Sequence, residues 1–472
     1  MPAESVLVAD CLFDGERFLR GEHEIVVADG RIRSVRARPA TAALPAGARD
    51  MRGGTLLPGL IDAHCHIARV GLFEPHEAPN PAAVALNLSS AVRAGVTTVG
   101  DMGCPAPMIS TLCALTRSEP SAGPGIRAAG PLLTVPLGYP LDWMSRAHLW
   151  LGAAIPCTDQ ASARRAVARV ARAGMDHVKI CIMHRGYDLS ALPTFSQKVA
   201  RAVVEEAHAS GLRVLAHAHW NADYRVALAA GVDALMHSAF DPLDPEIVAR
   251  VADSGVSVCP TLWVFHSACL GAEQRWDRDP TRQRGVAEPV RRSWRRFAEA
   301  YAASEHVLPE GIAGGLPKAA ARDGVRNAIA NLLLLRERKV PFAYGSDGPY
   351  GFSTVFRPLE ELTLFEGAGL GKEECLRAAT LGAAELLGLR DRGALRPGLA
   401  ADLLWVDGDL TRDLSALARV RAVLRGGVAV SDDLRSTADA ARAVRRGLGR
   451  TLAHAVVTRM SQSIGSASRT IP

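Results

Sequence analysis

The chain has 472 residues, of which 48% are hydrophobic and only 5% aromatic, and its formal net charge is +6. This length suits a large domain plus a smaller module, with a core built mostly from Ala, Val and Leu. The small charge and the even spread of arginine argue against a nucleic-acid groove, and no stretch approaches the roughly eighteen apolar residues of a membrane span.

The first eighteen residues lack a basic segment followed by an apolar one, so no signal peptide is expected. Nine scattered cysteines without a Cys-x-x-Cys pair suit reduced thiols and a cytoplasmic location. Residues 1–57 read as short strands, among them a hairpin in which Asp29-Gly30 supplies a type I′ turn between Glu24–Ala28 and Arg31–Val35.

From residue 58 to about 390, strands and helices alternate, as in a parallel sheet with crossovers. The expected strands are Leu60–His66, Val96–Asp101, Ile126–Ala129, His177–Ile182, Arg213–His217, Ala234–His237, Val256–Cys259 and Phe342–Ser346. Helices are expected from near Pro81, over Asp159–Ala173 with Asp159 as cap, over Ser196–Ser210 and over Ala222–Ala230. Eight such units predict a (β/α)8 barrel. Residues 266–320 interrupt the rhythm as an Arg- and Trp-rich insertion, either a lid at the mouth or a solvated helical excursion. Residues 391–432 return to strand pattern and should join the first 57 in a small β-sandwich domain. Residues 433–472 form a tail with a helix near 437–460, suited to packing or oligomer contacts, so a homo-oligomer is expected.

Six residues at or near strand ends carry the chemistry: His64, His66, Lys179, His217, His237 and Asp347. Alternate residues of a strand share a face, so His64 and His66 point the same way and can reach one ion. Lys179 lies in an apolar strand, where a bare ammonium is costly and its pKa falls. A neutral lysine there can take up carbon dioxide as a carbamate that bridges two cations; pairing with a carboxylate is the plainer alternative. His217 and His219 also share a face, the first assigned to metal and the second to substrate or the transition state. Taken singly, His237 would be a core histidine and Gly345–Gly348 an ordinary turn. His177 and His184, flanking the Lys179 strand, are read as structural. Such nitrogen and oxygen donors suit zinc, with manganese or iron as other choices.

The motifs Leu57–His66, Gly95–Val99, Val178–Ile180, Ala216–His219, Gly231–His237, Pro260–Leu262, Gly345–Asp347 and Gly393–Leu403 together resemble the amidohydrolase superfamily. The likeness is to its binuclear members related to imidazolonepropionases and prolidase-type dipeptidases. It implies one metal held by His64, His66 and Asp347, a second by His217 and His237, and carboxylated Lys179 between them. The activity implied is cleavage of an amide or peptide bond by a metal-bridging hydroxide. Asp347 would move the proton, and His219 would steady the oxyanion. Expected substrates are a small peptide, a modified peptide or an N-acyl amino acid, contacted by His219, Arg185, Tyr187 and Trp220. Two competing readings stand beside this one. A mononuclear deaminase or imidazolone hydrolase would need an acid just after His217, and the first carboxylate is Asp223. An inactive scaffold would not be expected to keep all six residues.

Overall fold

Asp29 and Gly30 take φ of 54° and 73°, the left-handed pair that a type I′ turn requires, and join strands Phe18–Ala28 and Arg31–Ala37. These belong to an eight-stranded sheet that draws on both ends of the chain. Its path runs Arg31–Ala37, Phe18–Ala28, Ser5–Phe13, Thr55–Pro58, Leu403–Val406, Val420–Arg425 and Val428–Ala429, with Arg49–Asp50 beside Ser5–Phe13. The chain is known from a computed structural model. It describes residues 4–68, 81–142, 144, 149–272, 315–349 and 356–430, with parts of 291–307 and 441–453.

The middle of the chain is α/β. Three parallel strands, Leu60–Cys65, Val96–Asp101 and Gly125–Ala128, form one sheet. Six more form another, in the order Ala154–Pro156, Leu132–Thr134, His177–Cys181, Arg213–His217, Ala234–Met236 and Ser257–Cys259. The sequence did not announce the three-residue strands 132–134 and 154–156, which are too short to show a period. Backbone bonds link the two sheets. Asp176 N donates to Ala128 O at 2.8 Å, and the Asp176 carboxylate accepts from Ala128 N at 2.8 Å.

The expected strand Phe342–Ser346 is present only as an extended segment. It forms one bridge, Val258 to Phe342, and is held on its other side by Ala63 N donating to Tyr344 O and Asp347 N donating to His64 O. Gly345 explains the tight seat. A Cβ there would lie 2.4 Å from Cys259 Sγ and 2.7 Å from His64 Cβ.

The helices form where their end signals lie. Asp159 caps Gln160–Arg172 by accepting from Ser162 N at 2.7 Å, a contact worth about 1 kcal/mol. Ser196 caps Gln197–Ala209, and Gly231 ends Asn221–Ala230 at φ 86°. Their buried faces are small: Ala163, Ala166, Val167 and Val170 on one, Ala200, Val203, Val204 and Ala207 on the next. Such residues let helices pack close to the sheets.

Described parts of the 266–320 insertion, Val307 and Leu316 among them, pack with Met183, Tyr187, Trp220, Phe240 and Phe265 in a second apolar cluster. Much of the insertion, and most of the expected tail helix at 437–460, lies outside the described residues. Among the described residues no helix is long and apolar enough to cross a membrane, and no disulfide links the cysteines.

Candidate active site

The strand Leu60–Cys65 is anchored by a buried acid, Asp62. Its Oδ1 accepts from His64 N and from Ser346 N, each at 3.1 Å, and burial raises its carboxyl to about 7. One side chain thereby ties the His64 strand to the segment that carries Asp347. His66 N donates to Gly348 O at 2.7 Å, which fixes the second histidine against the same segment.

These ties bring the Asp347 carboxylate to both imidazoles: Oδ1 lies 3.4 Å from His64 Nε2 and 3.2 Å from His66 Nε2. Oδ2 lies 3.9 Å from His237 Nδ1. Ligands about 2.1 Å from a tetrahedral zinc ion stand about 3.4 Å apart, so the first two spacings are those of groups around one ion. Asp347 (φ 48°), His237 (φ 80°) and Thr261 (φ 49°) all occupy the left-handed region. That region is costly for non-glycine residues and concentrates at working sites. Thr261 Oγ1 stands 2.7 Å from His237 Nδ1.

The remaining histidines come from neighbouring strands. Ring centroids of His217 and His237 are 4.4 Å apart, those of His219 and His237 also 4.4 Å, and those of His64 and His237 4.6 Å. Ligand atoms of His217, His219 and His237 form one group that fits an ion, and those of His64, His237 and Asp347 form another. Five of the six residues picked out in the sequence are buried, and Asp347 is partly buried.

Electrostatics fit the same use. Burial pulls His64, His217 and His237 well below the ordinary imidazole range, with the Lys179 charge adding to the effect on each. Lys179 therefore lies within electrostatic reach of all three. It is 2% exposed, its Nζ has no hydrogen-bond partner, and burial lowers it to about 8. His64 Nδ1 is likewise buried without a partner. Neutral imidazoles with open lone pairs, one carboxylate and an orphaned lysine amine form a donor set that fits divalent cations.

His219 sits between two partners. Its Nδ1 is 3.3 Å from Ser238 O, and its Nε2 is 3.0 Å from the Tyr187 hydroxyl. A carbonyl can only accept, so Nδ1 carries the proton. With burial lowering His219 to about 3, Nε2 stays bare and Tyr187 donates to it. The Tyr187 hydroxyl and the His219 ring are thereby held together on this edge of the site.

Trp220 and Arg185 lie farther out. Trp220 Nε1 donates to Arg185 O at 2.9 Å, and the exposed Arg185 guanidinium lies 5.3 Å over the Trp220 ring. It is not brought to the histidine cluster.

Three important residues are invisible to motif reading. Asp223 is fully buried and accepts from His219 N (3.0 Å), Trp220 N (3.1 Å), His184 N (3.0 Å) and His184 Nδ1 (2.8 Å). Its position in the first turn of Asn221–Ala230 is the only sequence clue. Glu361 accepts from Leu262 N and Trp263 N at 2.8 and 2.5 Å and fixes the loop next to Thr261. Tyr139 stacks on His217, with centroids 4.3 Å apart and planes 18° from parallel.

Residues 55–430 match the Amidohydrolase family. An uncharacterized protein of Mycobacterium tuberculosis (strain ATCC 25618 / H37Rv) is 30% identical over 215 residues, 44% of this chain and 51% of its own. The chain thus spans about half the length of the first curated relatives it matches. An imidazolonepropionase of Deinococcus deserti is 42% identical over 92 residues, 19% of this chain and 23% of that protein. The fold is shared with a Xaa-Pro dipeptidase that has methionine bound in its active site. The TM-score is 0.72 at 22% identity, covering 90% of this chain and 99% of that one. With most of its length inside the family match, the chain belongs to the amidohydrolase family.

Proposed function

We propose that this protein is a metal-dependent hydrolase that cleaves the amide or peptide bond of a small peptide, modified peptide or N-acyl amino acid. One observation carries the reading: the Asp347 carboxylate stands between the His64–His66 pair and His237, with a buried, partnerless Lys179 close by. In this reading residues 58–390 close into a (β/α)8 barrel built from strands of the two parallel sheets and the extended segment 342–346, and residues 1–57 and 391–432 form the small sheet domain. The protein works in the cytoplasm, as a homo-oligomer.

His64, His66 and Asp347 would hold one cation and His217 and His237 the other, with zinc the best match to the donors and manganese or iron as substitutes. Lys179, lowered to about 8, offers a neutral amine that can add carbon dioxide and release a proton to become a bridging carbamate. Such a pair of ions supplies Lewis acidity and lowers the pKa of a water to about 7. The side chains do the rest. Asp347 takes the proton of the attacking water and passes it to the departing nitrogen. The Tyr187 hydroxyl, which rests on His219 Nε2, would swing its one O–H from that nitrogen to the oxygen on which charge develops. Asp223, through the backbone of His219 and Trp220, holds that pair in place.

Asp347→Asn tests this assignment. Metal content should stay near two ions per chain, while turnover of dipeptides and N-acyl amino acids falls by at least about a hundredfold. Wild-type turnover in that variant would remove Asp347 from the proton path. About one ion per chain with deaminase activity would favour the mononuclear alternative, and an ordered metal-free protein would favour the scaffold.

A further inference from the structure

Aromatic residues make up only 5% of this chain, yet they gather on one flank of the histidine cluster. Tyr139 lies parallel on His217 at 4.3 Å and meets Tyr187 edge-on at 5.9 Å. Phe240 and Phe265 pack on His219 at 4.7 and 5.2 Å and on each other at 4.7 Å. Trp220 closes the row against Phe240 at 5.8 Å. Phe240, Phe265, Trp220 and Tyr187 are almost fully buried, whereas Tyr139 keeps part of its surface open. Two residues before it, Leu137 is 77% exposed at φ 60°, an apolar side chain held out to solvent. The opposite flank is polar, with Asp347, His64 and His66.

The two flanks sort a substrate. A group beside the scissile bond that turns toward His217 and His219 meets aromatic rings, whereas one that turns toward Asp347 meets charge. Planar apolar groups gain most from ring faces, through offset or edge-on stacking. Tyr139 meets Tyr187 edge-on and packs against the cluster that holds Trp220, Phe240 and Phe265, so its ring is already in position before a ligand arrives and little ordering is lost on binding.

We propose that the enzyme selects amides bearing an aromatic side chain next to the scissile bond, and that Tyr139 is the residue setting this preference. The proposal rests on the amide-hydrolase reading above and narrows it to a substrate class. The aromatic group occupies the Tyr139 side of the cluster, leaving the carbonyl carbon within reach of the Asp347 side.

The full-length, metal-loaded protein is tested on matched pairs: N-phenylacetylglycine against N-acetylglycine, and Phe-Ala and Ala-Phe against Ala-Ala. The aromatic member of at least one pair should have kcat/KM higher by about tenfold or more. Tyr139→Ala should bring that ratio close to one, and Tyr139→Phe should keep it, since the ring face rather than the hydroxyl makes the contact. Equal rates within every pair, or a ratio unchanged in Tyr139→Ala, would overturn the proposal. Calorimetric binding of phenylacetamide and acetamide separates this result from failure of the function itself. If no pair is hydrolysed, the amide-hydrolase reading fails, yet at least tenfold tighter phenylacetamide binding that Tyr139→Ala abolishes still upholds the aromatic subsite. Equal binding of the two amides then removes the subsite as well.

Discussion

Replacing Asp223 should damage both stability and catalysis, although this residue is assigned to neither metal nor substrate. In the native chain its carboxylate is completely buried and accepts four hydrogen bonds. Asp223→Ala removes the acceptor from the buried backbone N–H groups of His219 and Trp220. A buried donor left unsatisfied costs about 1–3 kcal/mol, so the two together cost about 2–6 kcal/mol. His184 lies nearer the surface, with its side chain 36% exposed, and water can replace part of what it loses. Removing the carboxyl also relieves the burial that raises its pKa, which places the expected loss in the lower half, about 2–4 kcal/mol. Asp223→Asn keeps one oxygen for the His219 and Trp220 amides and should cost about 1–2 kcal/mol. Catalysis should suffer more than folding. His219 aims the Tyr187 hydroxyl, and a displacement of about 1 Å in such a group can cost about a hundredfold. Urea unfolding followed by circular dichroism, with kcat/KM measured on the same samples, checks both parts. If Asp223→Ala unfolded within about 0.5 kcal/mol of wild type and kept its kcat, the network assigned to this carboxylate would be wrong.

Two further substitutions probe other parts of the site. Gly345→Ala places a methyl group 2.4 Å from Cys259 Sγ and 2.7 Å from His64 Cβ; it should cost about 1–3 kcal/mol and lower bound metal measured by mass spectrometry, and an unchanged metal content would contradict the close seat described. Burial holds Glu361 up at about 8 against its ordinary 4.5, so between those values the folded state keeps a proton that the unfolded state has lost. The associated stability is complete below about 4.5 and declines as pH rises toward 8. Glu361→Gln should flatten that decline in thermal melts taken across the window, whereas identical wild-type and variant profiles would assign the pH dependence to other groups.

The parts of this protein written in local rules were legible in the sequence. Alternation along a strand set His64 and His66 on one face, and the Asp159 cap and the expected start at Ser196 marked helix ends that the structure places within a residue or so. The family was legible too, because its motifs sit at strand ends and keep their order. What escaped depends on contacts between distant segments. Nothing near Glu361 shows that its carboxylate will meet the amides of Leu262 and Trp263, and nothing in Leu137–Pro140 shows that a tyrosine will lie on His217. Nor does the sequence show that the Ser238 carbonyl will decide which ring nitrogen of His219 carries a proton. Residues 342–346 form only one bridge, and the close seat of Gly345 against His64 and Cys259 is a contact between segments that the local pattern does not show.

The strand Thr55–Pro58 lies between Ser5–Phe13 and Leu403–Val406, and only Gly59, whose N donates to Asp402 O at 2.8 Å, separates it from the strand that bears His64 and leads into His66. The terminal sheet therefore acts as a mount for two of the six proposed ligands. Trimming residues 403–430 to obtain a minimal catalytic fragment would strip one neighbour from that mount, so both histidines would lose their alignment although the cut falls far from them in sequence.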